Sequence, residues 1–347
     1  MKRSDKDLAF MLRYENVAWY EDGAVKILDR RIYPIKTEYV ICKKHEEVAQ
    51  AIADMVTQSG GPYTAAGMGM ALASYEAKDL IEKEYLEYMQ KAAYTLSHAR
   101  PTTVKRMVAV TERCMDVVKR GLANCHNGLE IADAIFEDVI ESKNSNYDRS
   151  ERIAEFLYTQ VPWQGTAMTQ CFAETLVGML LRVCCKNNND IKVICPETRP
   201  YYQGARLTAS VACDMGFDVT VISDNMPGYT MKEKKVDIFT SAADVISMDG
   251  YVINKVGTFQ IALAARYWGI PYFCTGTPNE AHPTFDTVKI EQRDPELVLE
   301  SMGQKHTMAG VKGYYPSFDI TPPKLCDGIV TSKGIFSPYD LKRFFEK

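Results

Sequence analysis

The sequence predicts an α/β protein in two parts: a small β-sheet with long helices, followed by a parallel sheet covered by helices. Two observations support this prediction. Residues 17–141 hold a hairpin pattern and then long helical patterns, whereas short apolar runs alternate with helical stretches from about residue 191 onward. Such alternation is typical of a parallel sheet with helices on both faces. A chain of 347 residues is also long enough for two domains.

The N-terminal elements begin with a β-hairpin, in which Val17–Tyr20 and Ala24–Leu28 are joined by the turn Glu21–Gly23. After it, apolar residues recur at helical spacing in four segments on either side of a glycine-rich stretch over 59–69. These segments are 45–57, 75–94, 103–120 and 129–141. The polar segment Ser142–Ser150 then predicts a boundary between domains 1–145 and 146–347, although a helix could continue through part of it.

In the C-terminal part, five short apolar runs predict buried strands, at 191–195, 218–222, 236–239, 244–247 and 272–274. Helical stretches such as 206–215 and 258–267 lie between them. Because ligands bind at the carboxyl ends of parallel strands, polar residues that follow strands are the functional candidates. They are Thr169-Gln-Cys171, Glu197-Thr-Arg-Pro with Gln203, Ser223-Asp-Asn225, Asp244, and Asn254-Lys-Val-Gly257.

Composition excludes several classes of function. A net charge of −4 and a pI near 5.9 give no electrostatic footprint for nucleic acid or for an anionic membrane. No apolar run approaches the roughly 20 residues of a membrane span, and the charged start is unlike a signal peptide, which predicts a cytoplasmic protein. The ten cysteines are therefore expected to be reduced, and they lack the spacing of a structural metal site.

Each candidate also has a structural interpretation. Asp244 could cap a helix or stand in a turn, and Cys171 could be a small buried hydrophobe. The stretch Ser59-Gly-Gly-Pro opens a helical region, where backbone amides can bind an anion. It could equally be a turn followed by a tight helix contact. It is neither a Walker loop nor a dinucleotide fingerprint, because the required residues and spacing are absent.

Taken together, the clusters resemble the family of methylthioribose-1-phosphate isomerases, which also includes ribose-1,5-bisphosphate isomerase and regulatory subunits of a translation-initiation exchange factor. The resemblance covers nearly the whole chain. It is carried by Ile27-Leu-Asp-Arg-Arg, Gly60-Gly-Pro, Arg100-Pro-Thr, Thr169-Gln-Cys171, Glu197-Thr-Arg-Pro-Tyr-Tyr-Gln-Gly-Ala-Arg-Leu-Thr, Ser223-Asp-Asn-Met-Pro-Gly, Ala243-Asp244, Asn254-Lys-Val-Gly-Thr, Phe318-Asp-Ile-Thr-Pro and Val330-Thr-Ser-Lys-Gly.

The resemblance implies a Rossmann-like C-terminal domain and a homodimer formed through it. It implies that Cys171 and Asp244 are the catalytic groups, a pair that the regulatory subunits lack. Neither a cofactor nor a metal is expected. The sugar phosphate would be bound by the remaining site residues: Gly60 and Gly61 through their amides, Arg100, Asn254 and Lys255 at phosphate or hydroxyls, and Gln203 at a sugar hydroxyl. The start of the helix after Lys255 is expected to share the phosphate with the lysine ammonium.

The chain departs from the family at the substrate-facing loops. Ser59 stands where an arginine is usual, Phe172-Ala-Glu174 replaces Asn-Ala-Gly, and Cys195-Pro196 replaces Ala-Asp. The predicted reaction converts a 5-substituted ribose 1-phosphate, of the 5-methylthioribose or 5-deoxyribose type, into the ribulose 1-phosphate. Ribose 1,5-bisphosphate remains an alternative substrate. A non-catalytic regulatory subunit that binds a nucleotide or sugar phosphate remains an alternative function.

Overall fold

The computed structural model describes residues 3–100 and 104–346. The chain divides into two compact units, Met1–Asp148 and Arg149–Lys347, called here the N-terminal and C-terminal units. The boundary falls inside one helix, Gly128–Tyr158, so the polar segment 142–150 is helical throughout. Within the described ranges, no helix has both the length and the apolar character needed to cross a membrane.

The N-terminal unit combines a three-stranded antiparallel sheet with helices. The strands are β1 (Trp19–Glu21), β2 (Ala24–Leu28) and β3 (Tyr39–Cys42), and β1 pairs with β2 as the predicted hairpin. The helices are α1 (His45–Ala53), α2 (Gly61–Glu76), α3 (Glu82–Ser97), α4 (Val104–Ala123) and α5 (Gly128–Tyr158). The single helical region predicted over 75–94 is wrong. It is two helices, because the chain turns after Glu76 and Ile81 has extended backbone before α3.

The glycine-rich stretch lies largely inside α2, a helix buried on almost all sides. A Cβ atom at Gly67 would lie 2.5 Å from Val139 Cγ2, and one at Gly69 would lie 2.8 Å from Leu96 Cδ2. Both positions therefore need glycine, because neighbouring helices approach the α2 backbone too closely for a side chain. Tight helix packing thus explains these two glycines, while Gly60 and Gly61 stand apart at the start of the helix.

The C-terminal unit is built on a seven-stranded sheet of order β15-β14-β10-β7-β4-β5-β6. All neighbours are parallel except β14 and β15. The strands are β4 (Thr166–Met168), β5 (Lys192–Pro196), β6 (Asp218–Ile222), β7 (Ile238–Ala242), β10 (Tyr272–Thr275), β14 (Gly328–Thr331) and β15 (Gly334–Phe336). The helices are α6 (Glu174–Lys186), α7 (Ala209–Asp214), α8 (Pro227–Glu233), α9 (Thr258–Trp268) and the short α10 (Glu296–Leu299). The α/β fold class and the parallel sheet are confirmed.

One predicted strand does not join this sheet. The run after Asp244 forms β8 (Val245–Ile246), which pairs antiparallel with β9 (Val252–Lys255), and β9 pairs with β13 (Phe318–Thr321). Only five residues separate β8 from β9, and a parallel connection needs a crossover of a dozen or more. The expectation that this run belongs to the parallel sheet is therefore wrong. A two-stranded ribbon, β11 (Glu300–Ser301) with β12 (Gln304–Lys305), completes the unit.

Candidate active site

The two predicted catalytic residues follow neighbouring strands of the parallel sheet. Cys171 comes three residues after β4, Asp244 comes two residues after β7, and β4 pairs directly with β7. From β4 the chain proceeds to β5 and β6 on one side, whereas β7, β10 and β14 lie on the other. The gap between β4 and β7 is therefore the point where the strand order reverses. Open α/β sheets bind ligands at the carboxyl ends of the strands at such a point.

Cys171 is held in an uncommon backbone conformation next to the end of β4. Its φ is +60°, and its carbonyl accepts a hydrogen bond from the fully buried Thr208 hydroxyl. Burial raises the pKa of the thiol to about 11. The Lys255 ammonium and the Phe172 amide oppose this rise, and the Asp244 charge adds to it. At neutral pH the group is therefore a protonated thiol, suited to donate a proton rather than to act as a nucleophile.

Asp244 lies in the connection between the two sheets of the unit and is exposed. Its amide donates to the Ile253 carbonyl at 2.9 Å, which fixes the backbone beside β9. The negative charge of Asp244 raises the pKa of both Cys171 and Lys255. Asp244 therefore acts electrostatically on the other predicted groups of this site.

Lys255 is the last residue of β9 and is only 7% exposed. Burial lowers the pKa of its ammonium, whereas the charges of Cys171 and Asp244 raise it. The neighbouring Asn254 is also buried, and its amide nitrogen donates to the Thr258 hydroxyl at 3.0 Å. Lys255 is thus a buried lysine within electrostatic range of a thiol and a carboxylate, and a lysine in such a place can bind an anionic group.

The first turn of α9 is already bound to a carboxylate. Asp319 on β13 accepts hydrogen bonds from the amides of Gly257, at 2.6 Å, and Phe259, at 3.1 Å. Gly257 has a φ of +107°, and a Cβ there would lie 2.8 Å from Gln170 Nε2. These contacts join the Phe318-Asp run to the Asn254-Lys-Val-Gly-Thr run. The expectation that the start of α9 shares a phosphate with Lys255 stays a prediction, and it excludes the Gly257 and Phe259 amides, which bind Asp319.

A second carboxylate orders the loop that follows β5. Asp224 accepts hydrogen bonds from the amides of Thr198 and Arg199, both at 2.7 Å. Thr198 has a φ of +62°, and a Cβ at Gly204 would lie 1.8 Å from the Pro196 carbonyl oxygen. The loop therefore folds tightly back on its own strand, and it carries the half-buried Gln203, the predicted contact to a sugar hydroxyl.

The remaining predicted binding residues belong to the N-terminal unit. Gly60 is the residue before α2, and Gly61, the first of the helix, donates its amide to the Gln58 carbonyl at 3.1 Å. A phosphate contact through the Gly61 amide would have to share this N–H with Gln58. The fully buried Arg30 supports the loop by donating to the same carbonyl at 2.9 Å.

Arg100 is half-buried and follows α3, while Pro101 and Thr102 of the same motif lie outside the described residues. Ser59, where the family has arginine, is exposed and has a φ of +59°. Among the other departures, Phe172 is buried and Pro196 ends β5, whereas the side chain of Glu174 lies outside the described residues.

Sequence reasoning missed a cluster that approaches Lys255 from the segments on either side of α10. Arg293 lies 5.7 Å from the ring centroid of Tyr201, and its Nε donates to the Ser317 hydroxyl at 2.9 Å. Its Nη2 bonds Glu291 at 3.2 Å. Tyr315 is buried beside Tyr201, with ring centroids 6.2 Å apart. No motif spacing predicts the contacts of Tyr201, because it lies more than 90 residues from Arg293 and Tyr315 in sequence.

A mainly apolar pocket lies between α6 and the parallel sheet. Thr169, Gln170, Ala173, Leu176, Leu180 and Ala242 are among its lining residues, and no lysine or arginine is among those described. Thr169 and Gln170 connect it to the Cys171 loop. The Gln170 side chain donates to the Val256 carbonyl at 3.1 Å, and its Oε1 is buried without a partner among the described residues.

In the N-terminal unit, the described residues also include one group with metal-ligating side chains, His45, Glu46 and Glu76. His45 Nδ1 lies 3.1 Å from Glu76 Oε1, and the Tyr88 hydroxyl donates to Glu76 Oε2 at 2.9 Å. The buried imidazole thus already has a carboxylate partner. The ten cysteines are all described, and none is in a disulfide.

Several known proteins are similar to this chain over most of its length. Residues 61–338 match the model of the initiation factor 2 subunit family. Methylthioribose-1-phosphate isomerase of Thermosipho africanus is 32% identical over 352 residues, covering 97% of this chain and 99% of the relative. The crystal structure of 5-methylthioribose 1-phosphate isomerase from Pyrococcus horikoshii superposes with a TM-score of 0.85 at 30% identity, covering 95% of this chain and 96% of that one.

A second solved structure, translation initiation factor eIF-2B subunit delta from A. fulgidus, has a TM-score of 0.83 at 28% identity, covering 93% and 96% of the two chains. The curated relatives bear out the prediction of an enzyme of the aldose–ketose isomerase type. The chain belongs to the initiation factor 2 subunit family, and within it to the methylthioribose-1-phosphate isomerase family.

Proposed function

We propose that this enzyme converts 5-methylthioribose 1-phosphate, or its 5-deoxyribose counterpart, into the corresponding ribulose 1-phosphate. The observation that carries the proposal is the placement of Cys171 and Asp244 at the ends of adjacent strands, with Lys255 electrostatically coupled to both. The names of the relatives support the same substrate class. Metabolism of such a substrate, together with the composition, is consistent with a cytoplasmic enzyme.

The reaction needs two proton-handling groups. The anomeric oxygen carries the phosphate, so the ring opens only if its C1–O bond breaks and the ring oxygen gains a proton. Hydrogen then moves from C2 to C1, and the C2 hydroxyl loses its proton to become a ketone. We assign Asp244 to the side of the sugar that carries the ring oxygen and the C2 hydroxyl. Cys171, as a protonated thiol, is assigned to the opposite side of the sugar. No net proton is gained or lost.

Phosphate binding is assigned to Lys255 in the C-terminal unit, and the phosphate contacts of Gly60, Gly61 and Arg100 stay predictions from the family resemblance. Asn254 and Gln203 would bind hydroxyl oxygens of the sugar. The apolar pocket beside Thr169 and Gln170 supports an uncharged 5-substituent over a second phosphate, because its described lining offers no cation. A methylthio or methyl group fits such a lining, and the second phosphate of ribose 1,5-bisphosphate does not.

The deciding experiment is a panel of 5-substituted ribose 1-phosphates assayed for ketose formation, with Cys171→Ser as the inactive control. We expect turnover of the 5-methylthio or 5-deoxy compound, and a loss of about 10²- to 10⁴-fold in the variant. The likeness to the A. fulgidus initiation factor subunit supports the alternative, a non-catalytic regulatory subunit. Ketose formation from none of the sugars would favour that alternative and refute the isomerase.

We further propose a homodimer formed through the C-terminal unit. Helices α8 and α9 present large exposed side chains to solvent, and Trp268 Nε1 joins them by donating to the Gly228 carbonyl at 2.8 Å. The exposed residues are Tyr229, Phe259, Leu263, Tyr267 and Trp268. A patch of this kind is typical of a protein interface. Sedimentation should give a dimer that Tyr267→Glu dissociates and that Tyr339→Glu, at another exposed tyrosine, leaves intact.

A further inference from the structure

Tyr315 is a buried tyrosine whose hydroxyl has no hydrogen-bond partner among the residues that the structure describes. The residue is only 3% exposed. Elsewhere in the same unit, the fully buried Tyr272 hydroxyl lies 2.7 Å from the Ser241 hydroxyl. A buried hydroxyl without a partner is destabilising, and such groups in native proteins call for a specific explanation. The Tyr315 hydroxyl therefore points to a partner outside the described residues, such as a bound ligand.

The position of Tyr315 indicates which partner this is. On one side its ring packs 6.2 Å from the ring of Tyr201, which belongs to the same loop as Gln203. On the other side the chain continues to Ser317, whose carbonyl accepts a hydrogen bond from the Val256 amide at 3.1 Å. Val256 directly follows Lys255. Tyr315 thus lies between the two segments that carry the proposed sugar and phosphate contacts.

Electrostatics favour a hydrogen-bond donor at this position. Burial raises the pKa of the Tyr315 phenol, the Arg293 charge opposes the rise, and the Cys171 charge adds to it. The phenol therefore stays protonated at neutral pH. Its response to the charge of Cys171 also places it within electrostatic range of the proposed catalytic thiol.

The guanidinium of Arg293, close to Tyr315, already has hydrogen-bond partners in the protein. Arg293 bonds Glu291 at 3.2 Å and Ser317 at 2.9 Å, and its guanidinium lies over the Tyr201 ring. Glu291 neutralises the charge that would otherwise attract a phosphate to this part of the site. A neutral oxygen of the sugar suits the Tyr315 hydroxyl better than a phosphate oxygen does.

We propose that the Tyr315 hydroxyl donates a hydrogen bond to an oxygen of the sugar moiety of the bound substrate. Tyr315 is then a further binding residue of this enzyme, and the inference rests on the proposed function. In the free protein the hydroxyl is a buried polar group without a partner among the described residues, and substrate binding supplies an acceptor.

Tyr315→Phe tests this directly, because it removes only the hydroxyl. The matched control is Thr321→Val, since the Thr321 hydroxyl is also buried without a described partner but lies at the end of β13 opposite Val252, away from Phe318 and Lys255. Calorimetric titration with 5-methylthioribulose 1-phosphate gives Kd, and titration with inorganic phosphate gives the affinity of the phosphate site. The melting temperatures of the ligand-free proteins give the effect of each hydroxyl on thermal stability.

We expect both variants to melt about 2 °C higher than wild type, because each loses an unpaired buried hydroxyl. Only Tyr315→Phe should weaken binding of the sugar phosphate, by about tenfold, with phosphate affinity unchanged. An unchanged Kd in Tyr315→Phe, an equal loss in Thr321→Val, or an equal loss for inorganic phosphate would overturn the inference. Failure of the wild type to bind the sugar phosphate would instead overturn the proposed function on which it rests.

Discussion

The loop after β5 offers a quantitative test of how the site is held together. Asp224 is half-buried and binds the amides of Thr198 and Arg199 with both carboxylate oxygens, each at 2.7 Å. Asp224→Asn keeps one acceptor oxygen and turns an NH₂ group towards the second amide. One hydrogen bond to a charged group is then lost, which is worth about 1.5–3 kcal/mol.

We therefore expect Asp224→Asn to lower the free energy of unfolding by about 2 kcal/mol. For a cooperative unit of this size the melting temperature should fall by about 4–8 °C. Because the loop carries Gln203, KM for the sugar phosphate should rise while kcat changes much less. Denaturant unfolding and steady-state kinetics measure the two effects on the same preparation.

The control is Asp218→Asn, which makes the same chemical change at an exposed residue. Asp218 is the first residue of β6, the strand that ends two residues before Asp224. It should leave both stability and KM within error of wild type. If Asp224→Asn is as stable as this control, the two short hydrogen bonds do not order the loop and the reasoning is refuted. A loss of stability without any change in KM would show that the order of this loop does not affect substrate binding.

Three further predictions concern charge and proton transfer. Lys255→Ala should weaken binding of phosphorylated inhibitors by about 10- to 100-fold, whereas the exposed Lys289→Ala should not; equal affinities would remove Lys255 from the phosphate site. Because the pKa of Cys171 is raised to about 11, the thiol is a poor base for the C2 hydrogen, so product formed in D₂O should carry no deuterium at C1 by mass spectrometry; incorporation would show that a base removes this hydrogen as a proton. Ser59→Arg should raise KM relative to Ser59→Ala if the pocket is rebuilt around a ligand that avoids a guanidinium there; a lower KM would show that the site has merely lost a cation.

Local patterns were sufficient to predict most of the C-terminal unit. The runs at 191–195, 218–222 and 272–274 are strands of the parallel sheet because short apolar runs flanked by helices have few other ways to bury both faces. The carboxyl ends of the parallel strands carry Cys171, after β4, and the Glu197–Pro200 loop, after β5, where the general rule for such sheets places functional residues. Asp244 was assigned to the same edge, although the strand that follows it belongs to a different sheet.

What the sequence did not predict depends on contacts between distant segments. Asp319 reaches the amides of Gly257 and Phe259 only because β13 pairs with β9, about 60 residues earlier. The pairing of Tyr315 with Tyr201 and the support of Arg293 by Ser317 have the same origin. Hydrophobic periodicity predicts helices and strands but not which of them pair. Residues that cap a helix or line a pocket from a distant segment can therefore be identified only once the strand pairing is known.

Lys255 interacts electrostatically with both proposed catalytic groups, Cys171 and Asp244. It lowers the pKa of Cys171, and Cys171 and Asp244 each raise the pKa of the lysine against the effect of burial. A phosphate dianion bound beside Lys255 would add negative charge to this group and so favour the protonated form of both the ammonium and the thiol. We infer that substrate binding reinforces the proton on Cys171, and that the exposed Asp244 exchanges protons with the sugar. The two catalytic groups would then differ in role because of their surroundings, with a buried lysine setting the difference.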